Sequence, residues 1–205
     1  LPGTVLTGMG TPDVEGTYGT FTYYTSETTN PPSDLTGGRW VRVEKRNNLT
    51  KMSLVGPSGE SLPLQVAADK GAALLDAAGR KLVLKKGEWS EWIPLSFPSG
   101  GGMVRFYLKD TEPLKLYASP VNMDPCRPLQ AITSPDSFSC HLCRCCGRFY
   151  TQGMPEDTKA LMHEVLSDAE FLTQNQLVIE ERRRLFRQGL SEFEEGLFFF
   201  YFSAP

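Results

Sequence analysis

The sequence predicts a mixed fold between α+β and α/β: a β-rich module followed by two helices and a buried strand. Three observations predict it. Period-two runs separated by turn signals fill residues 37–125, helical spacing replaces them after residue 149, and the chain closes on the unbroken apolar run Leu197–Phe202. Chain length sets the scale, since 205 residues hold one large domain or two small ones. Gly 19 and Pro 15 together make about a sixth of the chain, above the usual share but below the low-complexity range. Collagen, wholesale disorder and a coiled coil are thereby excluded. A net charge of -3 gives no global positive field, so no nucleic-acid polymer is expected as partner. No apolar run is long enough to span a bilayer.

Residues 1–36 are rich in Gly, Thr and Pro, with one aromatic strand candidate at Thr20-Phe21-Thr22-Tyr23-Tyr24. In residues 37–125, Val41 and Val43 share a face, as do Leu82 and Leu84, and Val104, Phe106 and Leu108. The breaks at Asn47-Asn48, Gly56-Pro57-Ser58-Gly59 and Pro98-Ser99-Gly100-Gly101-Gly102 mark turns between antiparallel strands. Residues 126–148 read as a linker carrying a cysteine cluster. Beyond residue 149, Pro155-Glu156-Asp157 reads as a helix start, with Leu161, Val165 and Leu166 at helical spacing. A second helix follows from Phe171, Val178 and Leu185 at seven-residue steps, with Leu172, Ile179 and Phe186 beside them. Gly189 and Gly196 are expected to loosen its end. The run Leu197–Phe202 then reads as a strand apolar on both faces, which needs neighbouring strands. Together with the start at Leu1, it predicts an internal segment of a longer polypeptide.

Cysteine is the unusual component. Cys140, Cys143, Cys145 and Cys146 lie within seven residues and Cys126 lies upstream. One C-x-x-C knuckle followed by adjacent thiols is a poor tetrahedral donor set, so no metal is expected, with these four as the weak alternative. Tight clustering and an odd count argue against a disulfide framework and for reduced thiols, as in a cytoplasmic setting. His163-Glu164 lacks the second histidine of a zinc-protease helix, since Ser167 stands in its place. Ser58 lacks the spacing of a nucleophile elbow. Gly8-Met9-Gly10 lacks the third Gly, or the Lys-Ser/Thr, of a phosphate loop and reads as a tight turn. Trp40, Trp89 and Trp92 raise a sugar-binding platform, but Trp89 and Trp92 would face opposite sides of a strand and are expected in core and rim packing. Arg182-Arg183-Arg184 after Glu180-Glu181 is expected as a charge-paired helix face.

Five segments in order carry a resemblance. They are Leu6-Thr7-Gly8-Met9-Gly10-Thr11-Pro12-Asp13 with Gly19-Thr20-Phe21-Thr22; Leu84-Lys85-Lys86-Gly87-Glu88-Trp89-Ser90; Tyr117-Ala118-Ser119-Pro120-Val121-Asn122; Phe149–Asp157; and Phe199-Phe200-Tyr201-Phe202-Ser203. The chain resembles the bacterial type I phosphodiesterase/nucleotide pyrophosphatase branch of the alkaline phosphatase superfamily over nearly its whole length. The resemblance implies an α/β hydrolase of phosphate esters or nucleotides. Two divalent metals, usually zinc, would serve a Thr or Ser nucleophile. It places the nucleophile and one ligand before Leu1 and further ligands after Pro205. By that measure the chain holds no catalytic residue of its own. It comprises an incomplete alkaline-phosphatase-like core and a β-rich insertion. The run Gly8, Gly10, Thr11 and Asp13 is expected as a loop facing the catalytic side, its small residues allowing close backbone approach. Where the family has a helical stretch before Phe149, this chain has its cysteine cluster. The contrasting expectation is a non-catalytic β-rich binding module with a helical tail.

Overall fold

Period-two alternation dictates most of the architecture. In the computed structural model, which describes residues 5–6, 20–27, 38–44, 49–56, 59–151 and 155–202, the chain opens with β1 (Val5–Leu6), β2 (Phe21–Thr25) and β3 (Gly38–Arg42). Then come β4 (Leu49–Val55), β5 (Ser61–Asp69), β6 (Ala72–Ala77), β7 (Arg80–Lys85) and β8 (Glu88–Trp89). β9 (Ile93–Phe97), β10 (Gly100–Val104), β11 (Phe106–Thr111) and β12 (Leu114–Ala118) follow. Two short strands, β13 (Asn122–Met123) and β14 (Thr133–Ser134), precede the helices α1 (Ser137–Cys146), α2 (Thr158–Met162) and α3 (Asp168–Glu192). The region from Arg80 to Ala118 is therefore sheet, as its alternation predicts.

The strands β4-β5-β6-β7 form an antiparallel meander. Leu64, Val66 and Ala68 of β5 are buried, as are Ala73, Leu75 and Ala77 of β6, while the residues between them are exposed or half-buried. Two-residue turns join β5 to β6 and β6 to β7. Lys70-Gly71 and Ala78-Gly79 have φ of 40°, 84°, 52° and 87°, the left-handed pair that matches strand twist in a tight hairpin. The Gly79 N–H donates to Asp76 Oδ1 at 2.8 Å. A second sheet has the order β3-β2-β12-β11-β8, with β2 and β3 parallel and the rest antiparallel. The short sheet β13-β10-β9 supplies Leu95, Phe97 and Val104 to the same core. That core joins Leu54, Leu64, Val66, Leu75 and Leu84 of the meander to Tyr24, Phe106, Leu108 and Leu116 of the five-stranded sheet. Inward faces of the sheets thus pack on each other.

The opposite face of the five-stranded sheet carries one register row of aromatics. Trp40 pairs with Tyr23, Tyr23 with Tyr117, Tyr117 with Tyr107, and Tyr107 with Trp89, across all five strands. Tyr23 meets Trp40 edge-on at 4.7 Å, and Trp89 lies 4.8 Å from Tyr107 and 5.5 Å from Tyr117. Ala160, Val165, Leu166 and Phe171 cover the row from the helical side. Three layers result, meander, aromatic sheet and helices, consistent with an α+β fold in general.

The helical region corrects several expectations. Only Thr158–Met162 is helical after the Asp157 cap. Val165 and Leu166 lie beyond it in a turn closed by their N–H groups on Ala160 O, with Glu164 at φ 58°. α3 starts at a capping box, Ser167 with Glu170, and Gly189 lies inside it instead of ending it. A Cβ at Gly189 would approach the Phe198 ring to 3.0 Å, so its absence makes room for the returning tail. Leu197–Phe202 pairs with no strand among the described residues. Phe198, Phe200 and Phe202 pack on Phe186, while Leu197, Phe199 and Tyr201 are 91%, 81% and 73% exposed. One side of the run is thus half-buried at Phe198 and Phe200, while the other is exposed.

Candidate functional site

Among the expected loop residues, Gly8, Gly10, Thr11 and Asp13 lie outside the described residues. The strand just before them is described: β1 pairs with β14, Leu6 opposite Thr133. The segment expected as a linker contains the helix α1. There the four-cysteine alternative dissolves and the disulfide expectation is overturned, since Cys143 is bonded to Cys126 across 17 residues. Helical spacing explains both. Leu142 and Cys143 turn inward against Phe149 and Leu185, where Cys126 also packs, while Cys145 points to solvent. Cys140, Cys145 and Cys146 are free thiols.

Three of the segments that carry the family resemblance converge where the helices meet the aromatic sheet. Trp89 belongs to the aromatic row with Tyr117. Tyr117 donates its hydroxyl proton to Asp157 Oδ2 at 2.8 Å, and Asn122 Oδ1 accepts the Thr151 N–H at 3.1 Å. Asp157 also caps α2, accepting the Ala160 N–H on Oδ1, and its own N–H donates to Gln174 Oε1 on α3. Burial pushes the Asp157 carboxyl up to about 6, against the pull of those donors. Burial and then the Asp157 charge hold the Tyr117 hydroxyl well above its ordinary range.

An ion pair that sequence reasoning missed sits in the same layer. Arg105 and Glu181 are both buried, with Nη2 and Oε1 2.7 Å apart. Glu181 Oε1 also accepts from Trp92 Nε1 at 2.9 Å, and Oε2 accepts the Tyr150 N–H at 2.9 Å. The guanidinium lies over the Trp92 ring at 4.8 Å and Tyr150 at 5.7 Å. Burial raises the Glu181 carboxyl, and the Arg105 charge with the two N–H donors opposes the rise. Glu181 therefore does not pair along its helix as expected. Arg182 also reaches off the helix, to Glu156 at 3.2 Å, and Arg184 Nε donates to Cys146 O. Nearby, the Arg148 guanidinium grips buried Asp124 with two nitrogens, at 3.2 and 3.1 Å. No local pattern marks Arg105 or Glu181, because their partners lie 76 residues apart.

The charged groups are paired and enclosed, so their chemistry is positional, although Arg105 Nε, Tyr150 Oη and Gln174 Nε2 are buried without a hydrogen-bond partner among the described residues. They fix Trp92, Tyr150 and Asp157 against α3, and hold Tyr117 through Asp157. They do not fit the two-metal set that the family resemblance implies. Asp124 is committed to Arg148 and the Cys126 N–H, and Cys126 and Cys143 are spent in a disulfide. A second cluster lies on the α1–α3 surface. His141 Nε2 contacts Glu192 Oε1 at 2.6 Å, and the Cys145 thiol lies 3.9–4.0 Å from the ring nitrogens. Comparison of the chain with protein-family models, with curated proteins and with solved structures yields no match.

Proposed function

We propose that the chain is the middle segment of a metal-dependent phosphoric ester hydrolase of the phosphodiesterase/nucleotide pyrophosphatase type. The observation that carries the reading is contact between motif segments far apart in sequence: Trp89 with Tyr117, Tyr117 with Asp157, and Asn122 with Thr151. In this reading the β-rich module is an insertion. α3 and the Leu197–Phe202 tail belong to an alkaline-phosphatase-like core, whose sheet would cover the exposed side of Leu197, Phe199 and Tyr201. Two divalent metals, held by other segments, would polarise the phosphoryl group and activate the nucleophile. This chain's own residues contribute the scaffold, with the Gly8–Asp13 loop facing the catalytic side.

The test assays an aryl phosphodiester with zinc or manganese, using the 205-residue chain and a polypeptide extended through its natural flanks. Metal-dependent turnover by the extended protein alone is the expected result. Comparable turnover by the chain alone overturns the division of labour. No turnover by either overturns the hydrolase reading and favours a β-rich binding module.

A further inference from the structure

We infer that His141, Cys145 and Glu192 form a surface site for a single zinc-like divalent cation, clipping α1 to the last turn of α3. His141 and Cys145 stand four residues apart on one face of α1, the spacing that sets two side chains in line along a helix. Glu192 is brought opposite them by the packing of Leu185 on Leu142 and Cys143, and the Cys126–Cys143 bond holds α1 in place. One donor atom from each residue lies within 4.8 Å of the other two.

The distances are close to those a bound ion demands. Tetrahedral zinc with ordinary bond lengths separates an imidazole nitrogen from a carboxylate oxygen by about 3.3 Å, and from a thiolate sulfur by about 3.6 Å. Here these separations are 2.6 Å and 3.9 Å. Small side-chain rotations, widening one and closing the other, admit the ion. Both ring nitrogens lie nearly equidistant from the sulfur, at 4.0 and 3.9 Å. No single nitrogen is aimed at the thiol, which is the wrong arrangement for an imidazole base activating a nucleophile.

A thiolate, an imidazole and a carboxylate form a borderline-soft set that suits zinc and its cobalt analogue and disfavours magnesium or calcium. His141 and Glu192 are each more than a third exposed, leaving a fourth position open to water. The Gln188 amide donates to Glu192 Oε1 at 2.5 Å and orients the carboxylate. Binding takes a proton from the Cys145 thiol, and another from His141 when its ring is charged. This donor set differs from the all-cysteine alternative, and it does not depend on the hydrolase reading.

The experiment titrates the chelator-treated 205-residue chain with Co²⁺ alone in oxygen-free buffer, followed by Zn²⁺ competition. One equivalent of Co²⁺ is expected, with a thiolate-to-metal charge-transfer band that Zn²⁺ abolishes. Cys145→Ser should remove the band, and Glu192→Gln or His141→Gln should each weaken binding at least roughly tenfold. Cys140→Ser should change neither. All four positions are exposed or half-buried, so folding is checked by an unchanged far-ultraviolet spectrum. Failure of the wild-type chain to bind Co²⁺ overturns the site. A band that survives Cys145→Ser, or is lost with Cys140→Ser, also overturns it.

Discussion

The β4–β7 meander and the docking of α3 are built from opposite materials. The meander buries Leu54, Leu64, Val66, Leu75 and Leu84, while its outer face mixes polar residues with the exposed Leu49, Leu74 and Val83. α3 buries the stripe Gln174, Val178, Glu181 and Leu185, half of it polar. Apolar burial is non-directional and roughly additive in area, so the meander tolerates changes that keep volume. The α3 contact is directional. Its strength depends on specific donor–acceptor pairs, and loss of one partner leaves a buried charge behind.

Glu181→Ala is the largest single disruption this contrast predicts. It strands Arg105 in the interior and leaves the Trp92 and Tyr150 N–H groups without their acceptor. Urea unfolding should show a loss of about 3–5 kcal/mol. Leu75→Ala in the meander should cost about 3 kcal/mol by the same measurement, from lost burial and the cavity left behind. A meander loss larger than that at Glu181 would reverse the comparison.

Asp157 gives the contrast a pH signature. Its folded pKa of about 6 lies above the ordinary 3.8, so the native state takes up a proton more readily than the unfolded chain. Stability therefore rises as pH falls through 6 towards 4, by about 2–3 kcal/mol, and the gain is absent above pH 7. Urea midpoints measured at several pH values for wild type and Asp157→Asn isolate this term, since the variant should lack it. Parallel curves would contradict the assignment. The smallest predicted effect lies in a meander turn. Gly79→Ala places a side chain at φ 87°, in open space but strained, and should cost about 1 kcal/mol in the same assay.

The same contrast decides what the sequence discloses. Alternation at Leu82 and Leu84, or at Phe106 and Leu108, exposes the strands because neighbouring residues carry the signal. On α3 the stepping of Phe171, Val178 and Leu185 gives the helix, yet it ranks Leu172 with the core, and Leu172 is exposed. Glu181 and Gln174 look like solvent-facing residues, since only partners far along the chain make their burial favourable. The α1 helix was hidden for a related reason. Its sequence, SFSCHLCRCC, has two large apolar residues, and Cys143 becomes a core residue through a bond to Cys126. Of the expected site, Gly8–Asp13 lies outside the described residues. The pairing Tyr117–Asp157 was not legible, although both residues stood in segments already marked by the resemblance.

The central claim, that a polar lock and not apolar area seats α3, is tested most directly by a double-mutant cycle on Arg105→Met and Glu181→Leu. Free energies of urea unfolding are measured for both single variants and the pair. Each single variant leaves one charge unpaired in the interior, whereas the double variant removes both and restores apolar contact. The account predicts that the double variant is more stable than either single variant. Losses that simply add in the double variant would contradict it.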